Sequence, residues 1–436
     1  MTIETGREAA HAAHGGLRED IARCVHCGFC LQSCPTYLQL GKETDSPRGR
    51  IALIDAITSG RALPTPALLS HLDLCLQCRA CETACPSGVA FGRIMETARA
   101  TTIERRTAPL AWRLRAVALR AVLPSPARTA AAMGLLRAWR RSPMRAALRR
   151  SGVLAALPRP LRDADASLPE MPPASFVPPP QPAGLERAVA MLTGCVMPHM
   201  YPRTHAAAVR VLNRLGYRVV FPEGETCCGA LSLHAGDRRT ARDLARRNID
   251  AFLDAGVEAV IVDSAGCGST MKEYADLLAR DAAYAEKAAR LSAMTRDVLE
   301  FAAAHDLPPM RRIARTVTYQ DSCHLVHAQR VREAPRALLR AIPGVELREL
   351  AAPDRCCGSA GIYNIVQREM SLRLLDDKMD DVAGTGATFI GTANPGCMMQ
   401  LEQGARRRRI DARVVHVIEL LDEALAPEPR RNGASP

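Results

Sequence analysis

One twelve-residue run limits this chain more than any other feature. Residues 24–35 read CVHCGFCLQSCP, and residues 75–86 repeat the spacing as CLQCRACETACP. Both follow C-x2-C-x2-C-x3-C-P. Three thiolates spaced by two residues wrap three corners of one [4Fe–4S] cube on a tight loop. The fourth cysteine starts the next segment and, where two such runs occur, ligates the other cluster. The expected ligand sets are therefore Cys24, Cys27, Cys30 and Cys85 for one cluster, and Cys75, Cys78, Cys81 and Cys34 for the other. The prolines that follow turn the chain out of the loop without offering an N–H. A pair of zinc knuckles is the alternative. Zinc usually takes two separated pairs of ligands, which leaves the third cysteine and the Cys-Pro unexplained in both copies.

The segments around these loops read as short helices. Residues 17–23 lead into the first loop. Between the loops, Pro47-Arg48-Gly49 suggests a turn, and Ile51, Ile54 and Ile57 fall at helical spacing. Arg48 and Arg50 either offset cluster charge or sit on an ordinary surface turn. After the second loop, Phe91, Ile94, Met95 and Ala98 suggest a packed helix. Residues 1–105 are expected to form a helical two-[4Fe–4S] ferredoxin domain.

Residues 105–150 carry twelve Arg and no acidic residue, interleaved with Trp112, Leu135, Leu136 and Trp139. A basic amphipathic segment of this kind docks on an anionic membrane surface or a partner, or packs as a helical hairpin on its own chain. No base-reading or stacking module accompanies the charge, so nucleic acid is not expected as a partner. Residues 106–157 are assigned to this basic helical segment. Residues 158–186 form a Pro-rich linker, with nine prolines between 158 and 182.

The rest is an internal repeat. The first copy holds Cys195, Cys227-Cys228-Gly229 and Cys267; the second holds Cys323, Cys356-Cys357-Gly358 and Cys397. The gaps are 31 and 38 residues in one copy and 32 and 39 in the other. Short apolar strands precede the cysteines, at 188–194, 217–221 and 258–264, and again at 316–322, 345–350 and 387–393. Alternating strands and helices imply an α/β layered fold with a mainly parallel sheet. Each cysteine then sits in a loop after a strand, where such sheets place ligands. The expected units are residues 187–310 and 311–436. Each should hold one four-thiolate metal site, Cys195/Cys227/Cys228/Cys267 and Cys323/Cys356/Cys357/Cys397, bearing an iron–sulfur or zinc centre. His26, His199, His205, His324 and His327 lie near cysteines and are expected as hydrogen-bonding or packed residues. Gly384-Thr385-Gly386 precedes a strand instead of opening a helix, so it is not a dinucleotide site.

Composition agrees with this picture. Sixteen cysteines in 436 residues, with no apolar leader, point to a reducing compartment and metal ligation. No apolar run approaches the roughly 18 residues of a membrane span. The formal charge of +12 comes almost wholly from Arg.

A two-cluster ferredoxin module followed by two CCG cysteine-rich domains resembles the glycolate oxidase iron–sulfur subunit. It is also similar to the third subunit of anaerobic glycerol-3-phosphate dehydrogenase and to heterodisulfide-reductase-type proteins. The residues that carry the likeness are CVHCGFC, Cys34-Pro35-Thr36, SPRGRI and the second loop through Cys85-Pro86-Ser87-Gly88. The resemblance implies an α + α/β chain that oxidises no substrate itself. It implies FAD-containing partner subunits that oxidise glycolate or D-lactate, onward transfer to the membrane quinone pool, and a cytoplasmic site on the inner face of the membrane. The fullest CCG pattern ends in C-x-x-C. Here Ser264 and Asn394 stand at the first of those positions, which counts against five-cysteine heterodisulfide chemistry.

Overall fold

The computed structural model describes residues 16–104, 117, 120–156, 165 and 170–425. The N-terminal part is helical. Helices at 16–22, Pro35–Leu40, Pro47–Thr58, Pro66–Asp73 and Phe91–Glu104 surround the two cysteine loops. Leu17, Ile51, Ile54, Leu69, Leu72, Phe91, Ile94 and Met95 form their shared core, with Cys75 and Cys81 packed into it. The expected turn at Pro47-Arg48-Gly49 is instead the first turn of a helix. Ser46 Oγ accepts from Gly49 N at 3.0 Å, and Pro47 occupies the first helical position, where no N–H is missed. The same Ser/Thr-Pro start opens the helices at Pro66, Pro126 and Pro143.

The basic segment contains helices Pro126–Arg141 and Pro143–Arg150. Its arginines partly serve the chain itself. Arg137 donates to Pro172 O and Ser175 Oγ, both at 2.9 Å, Arg141 to Met171 O, and Arg145 makes a two-pronged pair with Asp165. Trp112 and the rest of residues 105–116 lie outside the described residues. Of the Pro-rich stretch, residues 170–182 are laid along the first α/β unit and are not a free spacer: Phe176 packs edge-on against His205, and Gln181 accepts from Val219 N.

The C-terminal part holds two parallel four-stranded sheets. The first contains β1 (Arg187–Met191), β2 (Tyr217–Val220), β3 (Val260–Val262) and β4 (Thr295–Asp297), in the order β2-β1-β3-β4. The second contains β5 (Arg315–Tyr319), β6 (Val345–Arg348), β7 (Phe389–Thr392) and β8 (Arg413–His416), in the order β6-β5-β7-β8. Every pairing is parallel. β4 and β8 were not foreseen. β4 is only Thr-Arg-Asp, too short and polar to show a strand pattern.

The two repeats interlock. Helix Val417–Leu425 from the second copy packs on helix Pro202–Arg214 of the first, and helix Val298–Ala303 of the first packs on Glu333–Ala341 of the second. One apolar core runs through both, from Val189 and Leu212 to Val317 and Leu421. Thr204 donates to Glu419 at 2.6 Å, and Arg210 and Arg214 both reach Asp422. Each sheet belongs to one repeat, but neither repeat completes its core alone.

Candidate metal centres

All sixteen cysteines are free thiols. In the helical part they line two cavities. One is bordered by Cys24, Cys27, Cys30 and Cys85, with Cys81 at its edge. The other is bordered by Cys34, Cys75, Cys78 and Cys81. The chain thus carries the fourth cysteine of each run across to the other loop. Non-glycine residues adopt left-handed backbone in both loops, His26 at φ 55° and Gln77 at φ 54°. In the second loop this geometry lets Gln77 N donate to Cys75 Sγ at 3.4 Å. The donor sets fit four-thiolate iron–sulfur ligation.

The two sites differ in exposure and charge. Cys27 is exposed, as are Val25 and Phe29 beside it, whereas Cys34, Cys75, Cys78 and Cys81 are buried. Arg50 lies behind the second site with only 1% of its surface exposed. Its guanidinium donates to His71 O at 2.8 Å, to Thr36 Oγ1 at 3.0 Å and to Cys34 Sγ at 3.8 Å. Asp45 offsets its charge at 3.7 Å. Arg48 stands over the first site, donating to His26 O at 3.1 Å and pairing with Glu43. Of the two readings open for these arginines, the one that places them beside thiolate sites agrees with this geometry.

The repeat cysteines meet in one place. Cys195, Cys227, Cys228, Cys267, Cys323, Cys356, Cys357 and Cys397 all line a single cavity of about 180 Å³ between the two copies. Within it they form two quartets. Cys227 lies beside Cys195 and Cys228, and these neighbouring thiols bring its pKa below the ordinary thiol value. Cys357 lies in the same way beside Cys356 and Cys397. In each CCG loop the glycine takes left-handed backbone, Gly229 at φ 87° and Gly358 at φ 86°. The glycine N–H of each loop also donates to the first cysteine of the pair, at 3.5 Å for Cys227 and 3.4 Å for Cys356. Among the described residues, no three His, Cys, Asp or Glu side chains converge as one mononuclear ion requires. The quartets are neighbouring thiols, not a preformed tetrahedral site.

The two positions that lack cysteine form a contact between the copies. Asn394 Oδ1 accepts from Gly266 N at 3.0 Å and lies 3.4 Å from Ser264 Oγ, while its Nδ2 donates to Cys397 Sγ at 3.7 Å. Ala265 N donates to Ala393 O alongside. Ser264 and Asn394 thus hold the copies together over the cavity.

Four of the five histidines singled out from sequence are hydrogen-bonding residues, whereas His26 is exposed and offers its backbone O to Arg48. His199 pairs with Ser175, His205 with Asp263 and Thr193 O, and His327 with Thr83 and Asp354 O. His324 Nε2 donates to Gln77 O at 3.0 Å, tying the cavity wall to the second ferredoxin loop. Burial pushes its pKa down to about 4. His234 was not singled out from sequence. It lines the same cavity, its ring is 5.1 Å from His324, and burial lowers its pKa well below the ordinary value. Only its position six residues after Cys228 could have marked it.

Comparison with known proteins follows the same division. Residues 20–89 match a family described as 4Fe-4S dicluster domain, 189–272 and 317–402 match the cysteine-rich domain CCG, and 113–168 match the linker region of the glycolate oxidase iron–sulfur subunit. The chain is 41% identical over 419 residues to the probable glycolate oxidase iron-sulfur subunit of Bacillus subtilis, covering 93% of this chain and 94% of that one. The chain belongs to the glycolate oxidase iron–sulfur subunit family. The Escherichia coli glycolate oxidase iron-sulfur subunit is 37% identical over 93% of this chain and 94% of its own. Lactate utilization protein A of Bacillus pumilus is 31% identical over 54% of this chain and 98% of its own. A hypothetical protein from Helicobacter pylori shares the fold alone, at TM-score 0.57 and 7% identity, over 97% of this chain and 77% of that one. Much of the Arg-rich stretch falls within the matched linker region. Among the described residues, no helix is long and apolar enough to cross a membrane.

Proposed function

We propose that this chain is the iron–sulfur electron-transfer subunit of a dehydrogenase complex that oxidises glycolate or D-lactate. The observation that carries the reading is the crossed ligand arrangement: two cavities, each lined by three cysteines of one run and the fourth of the other, in a chain of this family. A bound [4Fe–4S] cluster supplies one-electron transfer with no bond made or broken. Cys24, Cys27, Cys30 and Cys85 hold the first site at the surface, with Arg48 over it. Cys75, Cys78, Cys81 and Cys34 hold the second inside, and Arg50 places positive charge against Cys34. Arg99 fastens this second loop to the first repeat by donating to Cys75 O at 2.7 Å and to His234 O at 3.0 Å.

FAD on partner subunits would oxidise the 2-hydroxy acid, and the electrons would leave to the quinone pool, with the complex peripheral on the cytoplasmic face of the membrane. The heterodisulfide-type alternative is not favoured, because Ser264 and Asn394 serve as an inter-copy contact in place of a fifth thiol. The experiment is an assay of glycolate oxidation with an artificial acceptor. The isolated, flavin-free chain is expected to be inactive, and addition of FAD-containing partners to give activity. Glycolate oxidation by the isolated chain would overturn the reading.

A further inference from the structure

We propose that the two cysteine quartets are not equivalent, and that the second, Cys323/Cys356/Cys357/Cys397, is the one joined electronically to the second ferredoxin-type site. The inference rests on the electron-transfer reading above and adds where the electron goes. Two independent observations carry it, one of contact and one of charge.

The contact is made by the second ferredoxin loop. Leu76, Cys78 and Ala80 pack in one apolar cluster with Cys356, Tyr363, Met370 and Leu374, and Cys323 lies against it. Tyr363 donates to Leu74 O at 3.0 Å, and His324, next to Cys323, donates to Gln77 O. Cys78 feels the Cys323 thiol directly, and that neighbour adds to burial in raising its pKa. Among the described residues, the first repeat meets this loop through polar groups instead, Arg79 with Glu273 and Arg99 with His234 O. The apolar cluster that contains Cys228, with Cys267 against it, is built wholly from residues 188–294.

The charge difference lies one layer behind the cysteines. A Cβ on Gly229 would meet Ala241, and a Cβ on Gly358 would meet Ser371, so Ala241 and Ser371 are corresponding positions on the helices that back the two CCG loops. Seven residues further along those helices stand Asn248 and Lys378. Asn248 is fully buried and neutral. It donates to Cys227 O and accepts from Thr226 N. Lys378 is 3% exposed, donates to Ala352 O and Pro353 O, and lines a cavity together with Cys356. Two carboxylates stand near it as well: Asp381, which also accepts from Ala351 N and Ala352 N, and Asp354, which pairs with Arg332. A buried cation favours the more negative, reduced form of a thiolate-ligated centre. At the corresponding described positions, the second quartet is backed by a lysine and the first by a neutral amide.

With clusters bound, Cys75, Cys78, Cys81 and Cys34 would hold the electron donor and Cys323, Cys356, Cys357 and Cys397 the acceptor, one centre being oxidised as the other is reduced, with no bond changed and no proton moved. Cys78 and Cys323, packed in one apolar cluster, join the two sites.

The test uses the full chain purified without oxygen, titrated with reductant and followed by EPR. Lys378→Gln is expected to move the midpoint of a quartet-borne signal to more negative potential while both ferredoxin-type signals stay in place, and Lys378→Arg to restore it. Cys323→Ser is expected to abolish magnetic coupling between that signal and the second ferredoxin-type cluster; Cys195→Ser should retain it. The inference is overturned if Cys195→Ser removes the coupling and Cys323→Ser does not, or if Lys378→Gln moves no potential. Intact ferredoxin-type signals with no iron on either quartet also contradict it, and leave the electron-transfer reading standing. Absence of ferredoxin-type signals removes both.

Discussion

At the scale of single residues, buried polar side chains carry most of the information that lies beyond the cysteines. Arg50 is costly to bury and is retained with each of its three guanidinium nitrogens directed at an acceptor, one of them Cys34 Sγ. Asp297 shows the opposite situation. It ends β4 and caps the following helix, with Oδ1 accepting from Leu299 N at 2.9 Å, but Oδ2 is buried without a partner. Burial raises its pKa to about 7. Its ordinary value is about 4, so the unfolded chain loses this proton first as pH rises. Folding then takes up a proton between about pH 4 and pH 7, and this group's contribution to stability falls as pH rises across that window. Asp297→Asn keeps a capping oxygen and removes the titration. Denaturant midpoints measured across the window should therefore fall more steeply with pH for the native chain than for the variant. Parallel pH profiles would show that Asp297 does not titrate on folding.

At the scale of elements, the exchange of terminal helices makes the two repeats one folding unit. Leu421 is fully buried in the core common to both copies, on a helix that packs against the first. Leu421→Ala should cost about 2–5 kcal/mol and lower a single unfolding transition of both sheets. Asp422→Ala, on the same helix, removes pairs with arginines 26–50% exposed and should cost about 1 kcal/mol or less. Two separate transitions, with only the second repeat destabilised by Leu421→Ala, would contradict the shared core. Most of the elements were legible in the sequence. Ile51, Ile54, Phe91 and Met95 showed their helical faces, and six of the strands showed as apolar runs before cysteines. β4 did not, because three residues of mixed polarity carry no period. The helix exchange was not legible either, since the pattern of an apolar helix face does not say which copy covers it. For the same reason the quartets were read as two sites, and the single cavity that joins them emerged only from the fold.

At the scale of the whole molecule, the sulfur sites adjoin one another, and Leu76 lines both the second ferredoxin-type site and the eight-cysteine cavity. The first ferredoxin-type site is exposed, the second is buried against the second repeat, and the eight-cysteine cavity lies beyond it. The spacing of the cysteine runs already implied the crossed ligand sets; the packing adds which site faces outward. This account depends on the crossed sets holding two cubane clusters. The direct measurement is iron, acid-labile sulfide and reduced-state EPR on the full chain prepared without oxygen, compared with Cys34→Ser. The account predicts two reducible [4Fe–4S] clusters, and predicts that Cys34→Ser alters the signal of the cluster held by Cys75, Cys78 and Cys81 and spares the one held by Cys24, Cys27 and Cys30. Zinc in place of iron at these sites, or loss of the Cys24/Cys27/Cys30 signal on replacing Cys34, would contradict it.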